Sequence, residues 1–178
     1  MTVDGDGLRL RRATEEDADF VVGLLNDEDT EPFLAASRSR DRAGVLVDIR
    51  ASTDRPAESG LFVIEVPGGA GWERAGMMEF SLTNARSRIA HLGGLAIHPA
   101  FRGRRLADDA ARLFQRHLIF ELDFHRLELE CYGFNDRAIR HAERAGYVKE
   151  GVKRKAYWRH GEWVDGVLLS LIREDLEE

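Results

Sequence analysis

The residues from Gly93 to Leu113, GGLAIHPAFRGRRLADDAARL, set an apolar run against a basic, glycine-containing turn that leads directly into a helical pattern. That order of residue types suits an anion. The first turn of a helix leaves backbone N–H groups unpaired and carries partial positive charge, so a phosphorylated ligand docking there satisfies both. Arg102, Arg104 and Arg105 add charge, Gly103 lets the backbone come close to a ligand, and Asp108 and Asp109 fall in the first helical turn, where acidic side chains suit the macrodipole. An ordinary basic strand-to-helix turn has the same composition, so the stretch alone leaves both readings open. Two groups nearby could move protons. His91, in AHLGGLAI, is of a residue type whose intrinsic pKa suits taking a proton through water, and Glu79, in MMEF, is the competing base or an anchor for a cationic substrate. Each has a plain alternative: a strand histidine bonded to neighbouring backbone, and an alternating strand position facing solvent.

This stretch and the roughly fifty residues after it resemble the GNAT superfamily of acyl-CoA-dependent N-acyltransferases, whose pyrophosphate loop reads Arg/Gln-x-x-Gly-x-Gly/Ala. Arg102 and Ala107 match the first and last positions of that loop, and Arg105 stands where the family usually has its first glycine. A long side chain is accommodated at 105 if the backbone there keeps negative φ. FNDRAIRHAERAGY, from Phe134 to Tyr147, is similar to the family's Asn-x-x-Ala-(x)n-Gly-Phe helix and following strand. The segment EGVKRKAYWRHGEWVDGVLLSLIREDL resembles the last hairpin of members related to ribosomal-protein N-terminal acetyltransferases, and the piece around His91 is similar to a His-Leu-x-x-Leu-Ala-Val stretch of arylalkylamine N-acetyltransferases.

The resemblance implies a mixed α/β fold: a twisted, mostly antiparallel sheet with a splayed central strand pair and helices on both faces, in a single domain over residues 1–178. It implies acetyl-CoA as acyl donor, no metal, and a primary amine of a small molecule, amino sugar or polypeptide N-terminus as acceptor, attacked directly in a ternary complex. Backbone groups of Leu95, Ala96 and Ile97 would meet the pantetheine arm, and Arg102, Gly103, Arg104, Arg105, Leu106 and Ala107 would surround the pyrophosphate. An N–H near Ile97 would serve as oxyanion donor. Asn135 would bond the cofactor arm, cap the following helix, or do both. Gly93 and Gly94 suit a bulge that begins the splay, or a glycine pair packed against a bulky neighbour. The family pattern leaves a homodimer open. The sequence departs from it at the general acid: the tyrosine position seven residues after Asn135 is Ala142, and the serine position three residues after it is Ala138. His141, Cys131 and Tyr132 lie nearby, and protonation of the thiolate by solvent or product is an equal alternative. The departures also support a second reading, an acyl-CoA-binding sensor or degenerate module without catalysis. A nucleotide-binding protein is a remote third, since no Gly-Lys-Ser/Thr ending or Gly-x-Gly-x-x-Gly loop is present.

The elements that must hold these groups follow from periodicity. Leu8 to Arg12 alternates as a first strand, and Thr14 with Asp17 opens a helix with an apolar face from Ala18 to Leu25. A second helical region runs roughly from Ala35 to Ala51. Strands are expected over 61–66, 75–82, 87–98 and 125–131, helices over about 104–121 and 136–145, and a closing hairpin from 147–155 and 162–172 around Arg159, His160 and Gly161. At 178 residues, 43% hydrophobic and 33% charged, the chain has the length and composition of one globular domain. No apolar run approaches about 18 residues and no charged-then-apolar N-terminus occurs, so neither a membrane span nor a secretory signal is expected and the expected compartment is the cytoplasm. One cysteine, Cys131, fits a reducing setting and excludes an internal disulfide or a multi-cysteine metal site. The net charge of −6 argues against nucleic acid as main partner and suits a cationic substrate or simply a solvated acidic surface.

Overall fold

The computed structural model describes residues 1–33 and 41–177. Its centre is an eight-stranded sheet in the order β1-β2-β3-β4-β5-β6-β8-β7. The strands are β1 (Thr2–Asp4), β2 (Arg9–Arg12), β3 (Ser59–Gly68), β4 (Gly71–Asn84), β5 (Ile89–Ile97), β6 (Arg126–Tyr132), β7 (Val148–Arg159) and β8 (Glu162–Ile172). Neighbours are antiparallel except β5 and β6, which run parallel. The helices are α1 (Ala18–Leu25), α2 (Arg42–Asp54), α3 (Leu106–Arg116), α4 (Asp136–Arg144) and the short α5 (Glu174–Glu177).

Alternation along the strands supplies two apolar faces. Leu61, Val63, Met77 and Ala96 point to one face, where Val21 and Leu24 of α1 and Val45 and Ile49 of α2 cover them. Phe62, Ile64, Phe80, Leu127 and Leu169 point to the other, against Ala110 and Phe114 of α3 and Ala142 of α4. Phe62 meets Phe114 edge-on at 5.1 Å. Helices thus lie on both faces, as expected.

Local chemistry sets the ends of the helices. The Thr14 N–H donates to Asp17 Oδ2 at 2.7 Å ahead of α1, and Asp41 Oδ1 accepts from the Gly44 N–H at 2.8 Å to cap α2. The second helical region therefore begins later than expected and runs on to Asp54; residues 35–40 of that expectation lie outside the described residues. At the end of α4, Gly146 takes φ +97°, its N–H bonding the Glu143 carbonyl while the Tyr147 N–H reaches back to that of Ala142. That pair of bonds is a Schellman motif, which brings the side chain at 147 back toward position 142. The strand β1 and helix α5 were not anticipated: three and four residues carry too little periodicity to register.

Candidate active site

The two parallel strands at the centre part company. Their ladder holds only Ile89↔Arg126, Ala90↔Leu127 and His91↔Glu128. Beyond His91, β5 stays on β4 as far as Gly76↔Ile97, and β6 stays on β8 as far as Tyr132↔Gly166. The gap between them opens into a cleft of about 580 Å³, floored by Leu92, Leu95 and Leu129 and roofed by Ala107, Ala111 and Ala142 of α3 and α4.

A bulge at the start of the gap comes from the glycine pair. The β4–β5 register shifts between Met77↔Ala96 and Glu79↔Gly93, so three steps on β5 face two on β4, with Gly94 at φ +62°. Glycine is required there twice over, since a Cβ on Gly94 would lie 2.6 Å from Glu79 Oε1. Past the bulge, the His98 N–H donates to the Ala75 carbonyl at 2.8 Å. Strand alternation then turns the backbone groups of Ala96 toward β4 and presents those of Leu95 and Ile97 to the open edge of β5. Ala96 lines the cleft with Leu95 and Ile97, and its carbonyl lies on the β4 side, 2.5 Å from where a Cβ on Gly76 would stand. The Ile97 carbonyl accepts from Arg102 Nε at 3.0 Å, which leaves the Ile97 N–H as the group offered to the gap.

At the mouth of the cleft the basic turn becomes the first turn of α3. Gly103 (φ +78°) and Arg105 (φ +58°) are both left-handed, and a Cβ at Gly103 would meet open space. The condition of negative φ at Arg105 is therefore not met: arginine takes there a left-handed conformation that glycine adopts without strain, at a cost of about 1–2 kcal/mol. Leu106 and Ala107 then begin α3 with N–H groups that have no carbonyl one turn back, beside the cleft. Arg102 lines the cleft as well, and both it and Arg104 have partners of their own. The Arg102 guanidinium bonds Asp27 (2.6 Å), Asp29 (3.0 Å) and Thr30 (3.2 Å), so its charge is already matched; Arg102 holds the Asp27 carboxyl below the usual range. Arg104 lies outside the cleft, over the ring of Phe101 at 5.8 Å, in an adjoining groove with Asp6 and Asp109.

His91 and Glu79 share one face and both line the cleft. Glu79 pairs with Leu61 on β3, and Leu61 packs under α1 and α2, so that is the face the two side chains occupy. Asn135 caps α4, its Oδ1 accepting from the Ala138 N–H at 3.1 Å, and it also lines the cleft. Of the acid candidates, Cys131 lines the cleft with its thiol pushed up to about 11 by burial and by Glu130, so it stays protonated and packs. His141 Nδ1 sits 2.7 Å from Asp108 Oδ1, with Arg144 3.3 Å from the same oxygen. Burial works to raise the Asp108 carboxyl, and the bonds from Arg144 and His141 hold it low. Tyr132 stacks on Phe134 at 5.3 Å, away from the cleft lining. Three cleft-lining residues went unnoticed in the sequence: Asp29 and Thr30, which depend on a partner 72 or more residues away, and Tyr147. Among the described residues no group of three or more potential metal ligands occurs, and no helix is long and apolar enough to cross a membrane.

Comparison with known proteins places this geometry. Residues 7–148 match the family described as an acetyltransferase (GNAT) domain. In Bacillus subtilis the chain is similar to the SPbeta prophage-derived uncharacterized N-acetyltransferase YokL, 31% identical over 83 residues, which is 47% of each chain. It is also similar to the probable N-acetyltransferase YjcK, 32% identical over 85 residues, 48% of this chain and 47% of that one. The match thus spans about half the length of these curated relatives. The fold is shared with a chimera of Vibrio cholerae spermidine N-acetyltransferase SpeG and hSSAT (TM-score 0.83, 18% identity, 97% of this chain and 100% of the other). It is shared as well with the Salmonella typhimurium acetyl transferase that modifies the N-terminal serine of ribosomal protein L7/L12 (TM-score 0.82, 19% identity, 97% and 99%).

Proposed function

Because this chain belongs to the GNAT acetyltransferase family, we propose that it transfers an acetyl group from acetyl-CoA to a primary amine by direct attack in a ternary complex. The observation that carries this reading is the joint position of the β5 bulge and the β5–β6 splay. They begin within three residues of each other, at His91 and Gly94, and lead to the first turn of α3. The residues fit the donor. The open β5 edge offers backbone groups at Leu95 and Ile97 to the amides of the pantetheine arm, and Asn135 stands across the gap. Gly103, Arg105, Leu106 and Ala107 would receive the pyrophosphate through the helix terminus, with Arg105 adding charge.

The transfer needs positioning more than reactive groups, since a thioester is already activated. On this reading the Ile97 N–H donates to the carbonyl oxygen as negative charge develops there. The acceptor enters from the α1–α2 face, where His91 or Glu79 removes the ammonium proton through water. Cys131, half-buried and protonated, takes no part, which supports direct attack over an acyl-enzyme. The acceptor is a small-molecule amine, an amino sugar or a polypeptide N-terminus.

Isothermal titration with acetyl-CoA, and with CoA and ATP for comparison, tests the donor site; thiol release across an amine panel then tests transfer. Selective binding of the CoA compounds is expected. Absence of binding to the folded protein removes the transferase reading.

A further inference from the structure

Asp27 to Phe33 runs between α1 and α2, the helices that cover the sheet face of His91 and Glu79, and its residues Asp29, Thr30 and Phe33 line the cleft. The segment is tied at both ends. Arg102, five residues past the end of β5, donates from Nη2 to Asp27 Oδ2 at 2.6 Å and to Thr30 Oγ1 at 3.2 Å, and from Nη1 to Asp29 Oδ2 at 3.0 Å. At the other end Arg159 Nη2, where β7 turns into β8, donates to the Glu31 carbonyl at 2.7 Å, and His160 Nε2 donates to the Pro32 carbonyl at 3.0 Å. Phe33 meets Phe134, just past β6, at 6.0 Å. The segment therefore crosses from the β5 arm of the splay to the β6 arm as a strap.

Arg102 joins this strap to the loop that leads into α3. Its Nε donates to the Ile97 carbonyl at 3.0 Å, and its main chain passes directly into the left-handed Gly103 and on to the left-handed Arg105. Little holds that loop in the free protein. A Cβ at Gly103 would meet open space, and the N–H groups at the start of α3 have no carbonyl one turn back. An anion bonded there supplies the missing partners and fixes the loop. A guanidinium presents its N–H groups in one rigid plane, so one that is bonded to Ile97, Asp27, Asp29 and Thr30 together does not shift at one end without shifting at the other.

We propose that Arg102 is a positioning residue that transmits occupancy of the acyl-donor loop to the strap on the acceptor side. The filled loop holds the guanidinium, and the guanidinium holds Asp27–Phe33 across the cleft, so the acceptor meets a finished wall once the acyl donor is in place. This inference rests on the acetyl-CoA reading above. Arg102 acts through the strap and not on the phosphates, since its charge is already matched by Asp27 and Asp29.

Hydrogen exchange at the amides of Thr30, Glu31 and Phe33, with and without CoA, tests the link. All three donate to carbonyls within the strap, at Asp27 or Thr30, and exchange when it opens. Coupling between two sites is typically about 5- to 150-fold, so saturating CoA should slow their exchange about tenfold in the parent. Arg102→Gln and Asp27→Asn break the same bond from its two sides. Both variants should still bind CoA by titration, with β4 amides protected as in the parent, and the CoA-dependent slowing in the strap should vanish. Asp27→Asn alone decides the matter if Arg102→Gln does not fold. Slowing that persists in the variants, or is missing from a parent that binds CoA, overturns the proposal. Affinity lost in Arg102→Gln but kept in Asp27→Asn would make Arg102 a phosphate ligand and overturns it as well. Failure of the parent protein to bind CoA overturns the acetyl-CoA reading itself, and this inference with it.

Discussion

Replacing Gly94 by alanine separates the two constraints that make the bulge. At φ +62° an L-residue costs about 1–2 kcal/mol, of which about 0.4–1 kcal/mol is returned by the reduced freedom of the unfolded chain. The new Cβ would also stand 2.6, 2.8 and 2.9 Å from Oε1, Cδ and Cγ of Glu79, so that side chain must leave its rotamer, adding about 0.5–1.5 kcal/mol. The expected loss is about 1–2.5 kcal/mol by urea unfolding. Gly93→Ala is the control: its Cβ would meet Glu79 Oε1 at an ordinary 3.6 Å and its φ is not positive, so it should cost less than about 0.5 kcal/mol. In a Glu79→Ala background the steric part of the Gly94→Ala loss should vanish, giving a coupling of about 0.5–1.5 kcal/mol. Equal costs at 93 and 94 would refute the bulge, and zero coupling would refute the placement of Glu79 over it.

Arg105→Gly should stabilise the protein by about 0.5–1 kcal/mol, because relief of the left-handed strain exceeds the added chain entropy; a lower urea midpoint would contradict the geometry of the loop. Arg102→Ala should raise hydrogen exchange across Asp27–Phe33, since three side-chain bonds to Asp27, Asp29 and Thr30 disappear, and unchanged protection would deny that Arg102 anchors this segment. Burial works to raise the carboxyls of Asp17 and Glu65, but side-chain bonds from Arg11, and from Arg9 to Glu65, hold both below the usual range. Their unfolded forms bind protons first as pH falls, so this stability is present above about pH 4 and lost below it; unfolding free energies that stay flat from pH 6 to about pH 3 would refute the linkage.

Local chemistry was legible wherever a signal is carried by neighbours in the chain. The Thr14 and Asp17 pair announced α1, Gly146 ended α4, the alternation of Leu127, Leu129 and Cys131 marked β6, and His160–Gly161 marked the last turn, where both residues take positive φ. The bulge was legible in the glycine pair, and the passage from strand through basic turn to helix at the start of α3 in the order of residue types. What one residue does to another far along the chain was not legible. That Arg102 is matched by Asp27 and Asp29 across 73 or more residues, or that Arg104 turns into a different groove, follows from packing that no local pattern encodes.

Sequence by itself determined the residue types and local turns: which stretches alternate, where helices are capped, and where glycine must stand because other residues are strained there. Tertiary structure decided which groups meet. It ended the β5–β6 ladder at His91, set His91 and Glu79 on one face of the sheet, and packed Tyr147 in the core on the opposite face. The reason is that strand register and helix docking are set by burial of the whole apolar face at once, so a side chain's neighbours depend on every strand between them.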